Sequence, residues 1–438
     1  MKRYKFQSIL LLSFFFVGGL LVTASQAIPP FARKYQVSCS LCHNPYPRLN
    51  EFGESFRLAG FRIPQGEEIY IKSKPVALEP ANYKKVWPKQ IYPTTIPGLP
   101  PIGFRVLMDT NVDVGGTKAA RSTFQFPDEV EILTAGSLGD NASFHTEIEF
   151  EGGETATVPW LRFERIFGTS LLNVKAGMVG GHTFALPGAV DGERITRNHY
   201  LYTDWRMPTP GGFSDKNRFR VRSAQPGFEL TGYQRNWKYA LGVVNGNDGS
   251  ASDNNSEKDG FLQLAAKVGG IGYDGSKPAG RDFWSKNSLQ FGLFSYWGLA
   301  KITTGSKERR DTFYRIGPDI RFRNTKFDLG AGYLFGQNNN PYGSLTSDSV
   351  DSNAWFAEAG YHFYPWLVGS LRYEGLRVDV PGGIGVTDDD RDRFVPSISA
   401  LLRANIKLIA EARLHATNRS ATDKNDDDQV VLRIDFAY

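Results

Sequence analysis

The feature that most constrains this chain is its ending. Val430, Leu432, Ile434, Phe436 and Tyr438 alternate to the last residue, with Arg433 and Asp435 between them. A two-residue period sends alternate side chains to opposite faces of a strand. One face here is apolar and aromatic and the other is charged, which suits a strand with lipid on one side and water on the other. The pattern recurs. Trp355, Ala357, Ala359, Tyr361 and Phe363 alternate against Phe356, Glu358, Gly360 and His362. Ile406, Leu408, Ala410, Ala412 and Leu414 alternate against Lys407, Ile409, Glu411, Arg413 and His415. Phe144, Thr146, Ile148 and Phe150 alternate against His145, Glu147, Glu149 and Glu151.

Sixteen candidate strands start near 102, 124, 141, 157, 171, 226, 237, 257, 286, 309, 325, 352, 366, 392, 405 and 428. In a membrane barrel, short periplasmic turns alternate with longer outer loops. Short turns fall at Gly139-Asp140, Gly168-Thr169, Asn236, Asn324-Thr325, Tyr364-Pro365 and Ala404-Asn405. Long loops fall at 180–225, 246–257, 337–351, 380–391 and 417–427. The stretch 274–285 breaks the rule, because it should be short and is not. A terminal aromatic such as Tyr438 resembles the assembly signal of bacterial outer-membrane proteins. The expected fold class is all-β: a transmembrane antiparallel β-barrel of sixteen strands over 101–438, wide enough for an aqueous lumen. A soluble sandwich or propeller is the competing architecture.

Composition removes other classes. After residue 22 no run of about 18 apolar residues remains, so helices do not span a bilayer here. Lys and Arg number 51 against 46 Asp and Glu, a near-balance that gives no case for nucleic acid.

Residues 1–27 read as a secretory signal peptide. Lys2, Arg3 and Lys5 precede an apolar run from Ile9 to Val22, and Ser25-Gln26-Ala27 offers small residues for cleavage. An uncleaved anchor is the alternative. The mature chain is expected to begin at Ile28, outside the cytoplasm.

A module over 28–74 follows. Cys39-Ser40-Leu41-Cys42-His43 is C-x-x-C-H, the signature of covalent c-type haem attachment. Two thiols at this spacing can add to the two vinyl groups of one porphyrin, and the next residue, His43, can place an imidazole nitrogen on the iron as proximal ligand. Zinc would need about four ligands, and the segment offers three. A thioredoxin-type dithiol should sit near a βαβ pattern, which is absent. A plain disulfide stays open. The motif occurs once, so one haem c is expected. Leu49, Phe52, Phe56 and Ala59 share a helical face that can wall a porphyrin or form a small core. From Phe31 to Gln90 there is no Met and no His besides His43, so a second axial ligand must come from elsewhere or be missing.

Seven prolines between Pro75 and Pro101 mark 75–100 as an extended, stiff linker. Inward-phase charges of the barrel include Arg315, Asp319, Arg321, Arg323, Arg372, Glu374, Glu411 and Arg413, which fit plain pore lining or a surface that receives a plug. Asp388-Asp389-Asp390 and Asp426-Asp427-Asp428 read as solvated loop tips, with cation gathering as the sharper alternative. Distal iron ligands are restricted by phase. Met108 and Met178 fall on the lipid face, and His145, His362 and His415 point inward from wall strands. The longest loop, 180–225, is the third on the outer side and holds His182, His199 and Met207, of which His199 is the slight favourite.

The run Ile28-Pro29-Pro30-Phe31-Ala32-Arg33 through the C-x-x-C-H site to Phe61, followed by a barrel, resembles the fused monohaem cytochrome–porins of bacterial outer membranes, found in Fe(II)-oxidising bacteria. The likeness is specific over about 35 residues around Cys39–His43 and architectural beyond them. It implies an outer-membrane electron conduit. Extracellular Fe(II) or another reduced donor would pass one electron to the haem, and a periplasmic c-type cytochrome or other carrier would receive it. At most this is an Fe(II):cytochrome c oxidoreductase. Asn44-Pro45-Tyr46 is one residue shorter than the iron-oxidiser form, which weakens iron as donor more than it weakens electron transfer. A passive porin or sensor with a haem-bearing plug, a conduit running outward, and a haem peroxidase are the other readings. The small module supplies no His partner for the last.

Overall fold

The computed structural model describes residues 30–35, 37–43, 48–64, 76–77, 95–96, 102–114, 122–138, 141–180, 194–196, 199–246, 250, 252–280, 286–386, 388–418 and 428–438. The export signal at 1–27, Asn44-Pro45-Tyr46, His182 and most of the Pro-rich linker lie outside the described residues.

Sixteen antiparallel strands form a closed ring. They are β1 (Ile102–Asp113), β2 (Ser122–Ser137), β3 (Ala142–Glu151), β4 (Glu154–Thr157 and Trp160–Phe163), β5 (Asn173–Gly180), β6 (Ala224–Tyr233), β7 (Trp237–Val244) and β8 (Asp259–Gly269). Then come β9 (Ser288–Thr304), β10 (Lys307–Arg323), β11 (Phe327–Asn338), β12 (Val350–Tyr364), β13 (Leu367–Val378), β14 (Arg391–Arg403), β15 (Ile406–Asn418) and β16 (Gln429–Ala437). Phe436 lies opposite Val106, so the last strand pairs with the first and no edge is left. Strand β4 is in two pieces because Pro159 has no N–H to give to the ladder, and both pieces pair with β3.

The alternation expected from sequence is the alternation observed. On β10, Arg315, Asp319, Arg321 and Arg323 are buried while Ile316 and Ile320 are exposed. On β16, Val431, Arg433 and Asp435 are buried and Leu432 and Ile434 exposed. Phe124, Phe228, Phe291, Trp297, Phe363 and Leu371 also present large apolar surface outward.

The lumen differs from the water-filled interior expected of sixteen strands. Arg372 and Glu374 are fully buried, and Arg315 is 2% exposed. Burial of so many charges requires partners, and two segments supply them together with the facing strands. The first is the long connection between β5 and β6. Tyr200 donates to Glu358 Oε2 at 2.8 Å, Leu201 N to Glu374 Oε2 at 2.8 Å, and Asn217 Nδ2 to Asp311 Oδ2 at 3.0 Å. Its aromatic side chains join wall residues in one apolar cluster, with Phe219 packed on Tyr296 at 4.1 Å between centroids and Tyr202 stacked on Phe356 at 5.0 Å. Residues Phe213–Asp215 of the same connection pair with the end of β9.

The second segment is N-terminal: helix α1 (Pro30–Tyr35), a 3-10 turn at Cys39–Leu41 and helix α2 (Glu51–Leu58). Further on, Val76–Ala77 pairs antiparallel with Thr95–Ile96.

Candidate functional site

The C-x-x-C-H residues sit on a single tight turn. Cys42 N and His43 N both donate to Cys39 O, at 3.1 and 2.9 Å, which draws the two cysteines and the histidine together. Asn50 locks this turn to the helix that follows. Its side-chain amide donates to Ser40 O and Leu41 O at 3.2 and 3.0 Å, its Oδ1 accepts from Gly53 N at 2.9 Å, and its own N–H donates to Cys42 O at 2.8 Å. Asn50 thereby caps α2 and braces the cysteine turn at once. A Cβ at Gly53 would overlap Cys42 O, so only glycine lets α2 approach this closely.

Both cysteines and His43 line an apolar cavity of about 240 Å³. Phe31, Phe52, Phe56 and Phe61 form much of its wall; of the helical face read from sequence, Leu49, Phe52 and Phe56 line the space beside the motif and Ala59 does not. Phe31 stacks on Phe61 at 5.2 Å and meets Phe56 edge-on at 5.3 Å, while Tyr35 meets Phe56 at 5.5 Å and donates to Phe61 O at 2.6 Å. Burial in these surroundings pushes the Cys42 thiol up to about 12, with Cys39 adding to the effect, and raises Cys39 as well. The cysteines are free thiols at this site. An apolar space faced by two neutral thiols and one imidazole fits a flat apolar macrocycle with two electrophilic edge groups. It is a poor match for a hydrated metal ion.

Ion pairs tie this segment to the barrel at the end where the strand connections are short. Arg48, 2% exposed, reaches Glu358 at 2.8 Å and Asp328 at 3.4 Å. Glu54 meets Lys238 at 2.5 Å and Arg323 at 3.4 Å. Burial works to raise its carboxyl, but Lys238, Lys267 and Arg323 hold it well below the usual carboxylate range. Arg62 pairs with Glu164 at 2.8 Å, and Arg162 donates to Arg57 O at 2.9 Å. The over-long connection at 270–287 takes part in the same contact. Ile271 N donates to Glu51 at 2.8 Å, Ile271 joins the Phe52–Phe56–Phe61 cluster, and Tyr273 is fully buried beside Leu58. Residues 270–275 of this connection form a strap against the N-terminal segment.

The distal-ligand candidates are dispersed. The His199 carbonyl accepts from Arg393 and Arg372 inside the barrel. Met207 is buried in the aromatic cluster of the β5–β6 connection, with Tyr342 Oη at 4.0 Å from its sulfur. His182 lies outside the described residues. Neither His199 nor Met207 lines the cavity beside Cys39, Cys42 and His43. His145 faces the N-terminal segment, stacked against Trp160 at 5.6 Å and Phe61 at 6.4 Å. Of the acidic loop tips, Asp389 is buried and paired with Arg391 at 2.6 Å, which makes it structural. The sequence signals that pointed to the anchoring residues were faint: one turn of the wrong length, and charges on a short helix otherwise fit for a core.

No protein-family model and no curated protein sequence matches this chain. Solved structures similar to it are outer-membrane proteins. A Salmonella typhi OmpF in complex with daunomycin gives a TM-score of 0.49 at 13% identity over 77% of this chain and 97% of that one. The outer-membrane channel DcaP of Acinetobacter baumannii gives 0.48 at 10% identity, again over 77% and 97%. A loop-deletion mutant of Vibrio cholerae OmpT gives 0.48 at 11% identity over 78% and 99%.

Proposed function

We propose that this chain is a bacterial outer-membrane barrel of porin architecture whose N-terminal segment carries one haem c, plugs the periplasmic mouth and exchanges single electrons with a periplasmic carrier. The observation that carries the reading is that Cys39, Cys42 and His43 line one apolar cavity at the short-turn end of the barrel. The outward rows of Phe, Trp and Leu suit a lipid annulus, and the even strand count brings both ends of the barrel to the same side. Cys39 and Cys42 would hold the porphyrin through thioethers and His43 would ligate its iron. The haem supplies a one-electron couple. The protein's own part is to orient the imidazole, to keep water from the ring with Phe31, Phe52, Phe56 and Phe61, and to hold the segment in place through Arg48 and Glu54.

A second reading, the inward conduit from extracellular Fe(II), is favoured by the resemblance around Cys39–His43. It requires more of the molecule. A bilayer core is about 30 Å thick, the cavity is at the short-turn end, and the β5–β6 connection packs against the inner wall above it. An outside donor would have to come down the lumen. Electron exchange with a periplasmic carrier at the inner mouth needs no such path.

The test has two arms. Purified protein run on a denaturing gel should stain for haem, and the Cys39→Ala/Cys42→Ala double variant should not. An unstained wild-type band ends both readings. In intact cells, Fe(II) added outside should leave the haem oxidised while a membrane-permeant reductant reduces it. Rapid reduction by outside Fe(II) would replace the first reading with the conduit.

A further inference from the structure

Three neighbouring wall strands end their inward rows, at the short-turn end, on small or apolar residues. On β1 the inward row runs from Arg105 to Gly103, on β2 from Glu131 to Leu133, and on β16 from Asp435 to Ala437. The charged members form one buried network: Arg105 meets Asp435 and Glu131, each at 2.8 Å. One step toward the short-turn end, the inward positions are small or apolar. Gly103 lies opposite Leu133, and Ala437 lies opposite Arg105. Gly103, Leu133 and Ala437 all line the cavity that Cys39, Cys42 and His43 face, with Arg105 beside them at its inner edge, and Phe104 and the terminal Tyr438 complete that side. Phe104 and Tyr438 are tied by two backbone hydrogen bonds, at 2.9 and 2.8 Å, with their rings 6.0 Å apart. Cys39 Sγ is 3.7 Å from Ala404 O, in the turn between β14 and β15.

A water-filled lumen gives three adjacent strands no reason to end their inward rows without a charge. An apolar ring held between the N-terminal segment and the wall does. We propose that the closing seam of the barrel is the second wall of the haem pocket: Gly103, Leu133 and Ala437 present the face, with Phe104 and Tyr438 at the rim. This deepens the proposed function and rests on its assignment of haem to Cys39 and Cys42. One consequence is that thioether attachment needs only the cysteine turn, whereas enclosure of the ring needs β16 paired to β1. The bound haem would then report barrel closure.

The experiment uses full-length protein in detergent. Folded barrel is verified by strand-dominated far-UV circular dichroism and heat-modifiable gel mobility, and haem content by gel stain. In wild type, Soret-band circular dichroism should appear on folding and be largely lost in the urea-unfolded chain, although haem stays attached. Leu133→Glu should keep the stain, lose most of the Soret dichroism and shift the midpoint potential. Ile132→Ser, one position along on the outward row, should change neither. If Leu133→Glu does not fold, Ala437→Ser and the wild-type folding comparison carry the test. Haem on the gel with Soret dichroism and potential unchanged in a folded variant, or identical in folded and unfolded wild type, overturns the inference. Absence of haem from wild type overturns the assignment beneath it instead.

Discussion

Two segments reach into this barrel from opposite ends, and they are held by different balances of packing and charge. The β5–β6 connection brings aromatic and aliphatic packing around Tyr202, Met207, Phe219 and Tyr342 at the long-loop end, beside its hydrogen bonds to Glu358, Glu374 and Asp311. The N-terminal segment is fixed at the short-turn end by buried ions, Arg48 with Glu358 and Asp328, and Glu54 with Lys238 and Arg323. Apolar packing is lost in proportion to what is removed, because neighbours relax only partly into the space. A buried ion pair is not, because removing one partner strands the other. The first segment should therefore weaken by degrees, and the second should let go.

The sharpest break is Glu358→Ala. It leaves Arg48 without its closest partner and removes the acceptor of Tyr200, at a cost of about 3–5 kcal/mol typical of a broken buried pair. The expected result is rapid trypsin cleavage within 48–62 of an otherwise intact barrel; unchanged resistance would remove this ion pair from the docking. Met207→Ala should cost about 2–5 kcal/mol through the cavity it leaves. It should lower the melting temperature without exposing the N-terminal segment to protease, and exposure would mean that the two segments are coupled. Gly53→Ala places a methyl against Cys42 O, an overpacking cost of about 1–3 kcal/mol, and should cut the yield of haem-stained protein with barrel stability intact. Asn50→Ala removes a helix cap worth about 1 kcal/mol and should give a milder form of the same defect. Acid should do least. Glu54 is held below its unfolded pKa, so its contribution is present above that pKa and is lost only as pH falls through the lower folded value. Protease resistance of the segment should therefore be equal at pH 7 and pH 5, and release at pH 5 would show that another group governs docking.

The wall was legible in the sequence because its rule is local. Each of the sixteen expected starts falls within three residues of an observed strand; the widest gap is 157 against Glu154, where Pro159 splits the strand. Phase alone put Arg372, Glu374 and Glu411 inside and Met108 and Met178 outside. The cysteine turn was equally legible, since C-x-x-C-H carries its chemistry in five adjacent residues. What fills the lumen was not. Arg48 and Glu358 are 310 positions apart, and nothing in a two-residue period says which inward charge meets water and which meets a guanidinium. The cavity wall was hidden for the same reason: Gly103, Leu133 and Ala437 look like lapses in three separate strands until the ring is closed. The one misplaced length, 274–285, follows directly on Ile271 and Tyr273, and their contacts with the N-terminal segment could not be read without that partner.

That strap also bears on how such a molecule can be altered. Length in a connecting turn is the variable a barrel changes most freely, since the entropy of a longer loop grows only with its logarithm. Here the connection between β8 and β9 reaches α2 through Ile271 and Tyr273. Trimming that turn to the two or three residues found at 234–236, 324–326, 365–366 and 404–405 would leave every wall strand as it is and loosen the guest. A barrel lineage could gain or shed its N-terminal cargo through insertions and deletions in one hairpin, with the lipid-facing surface untouched.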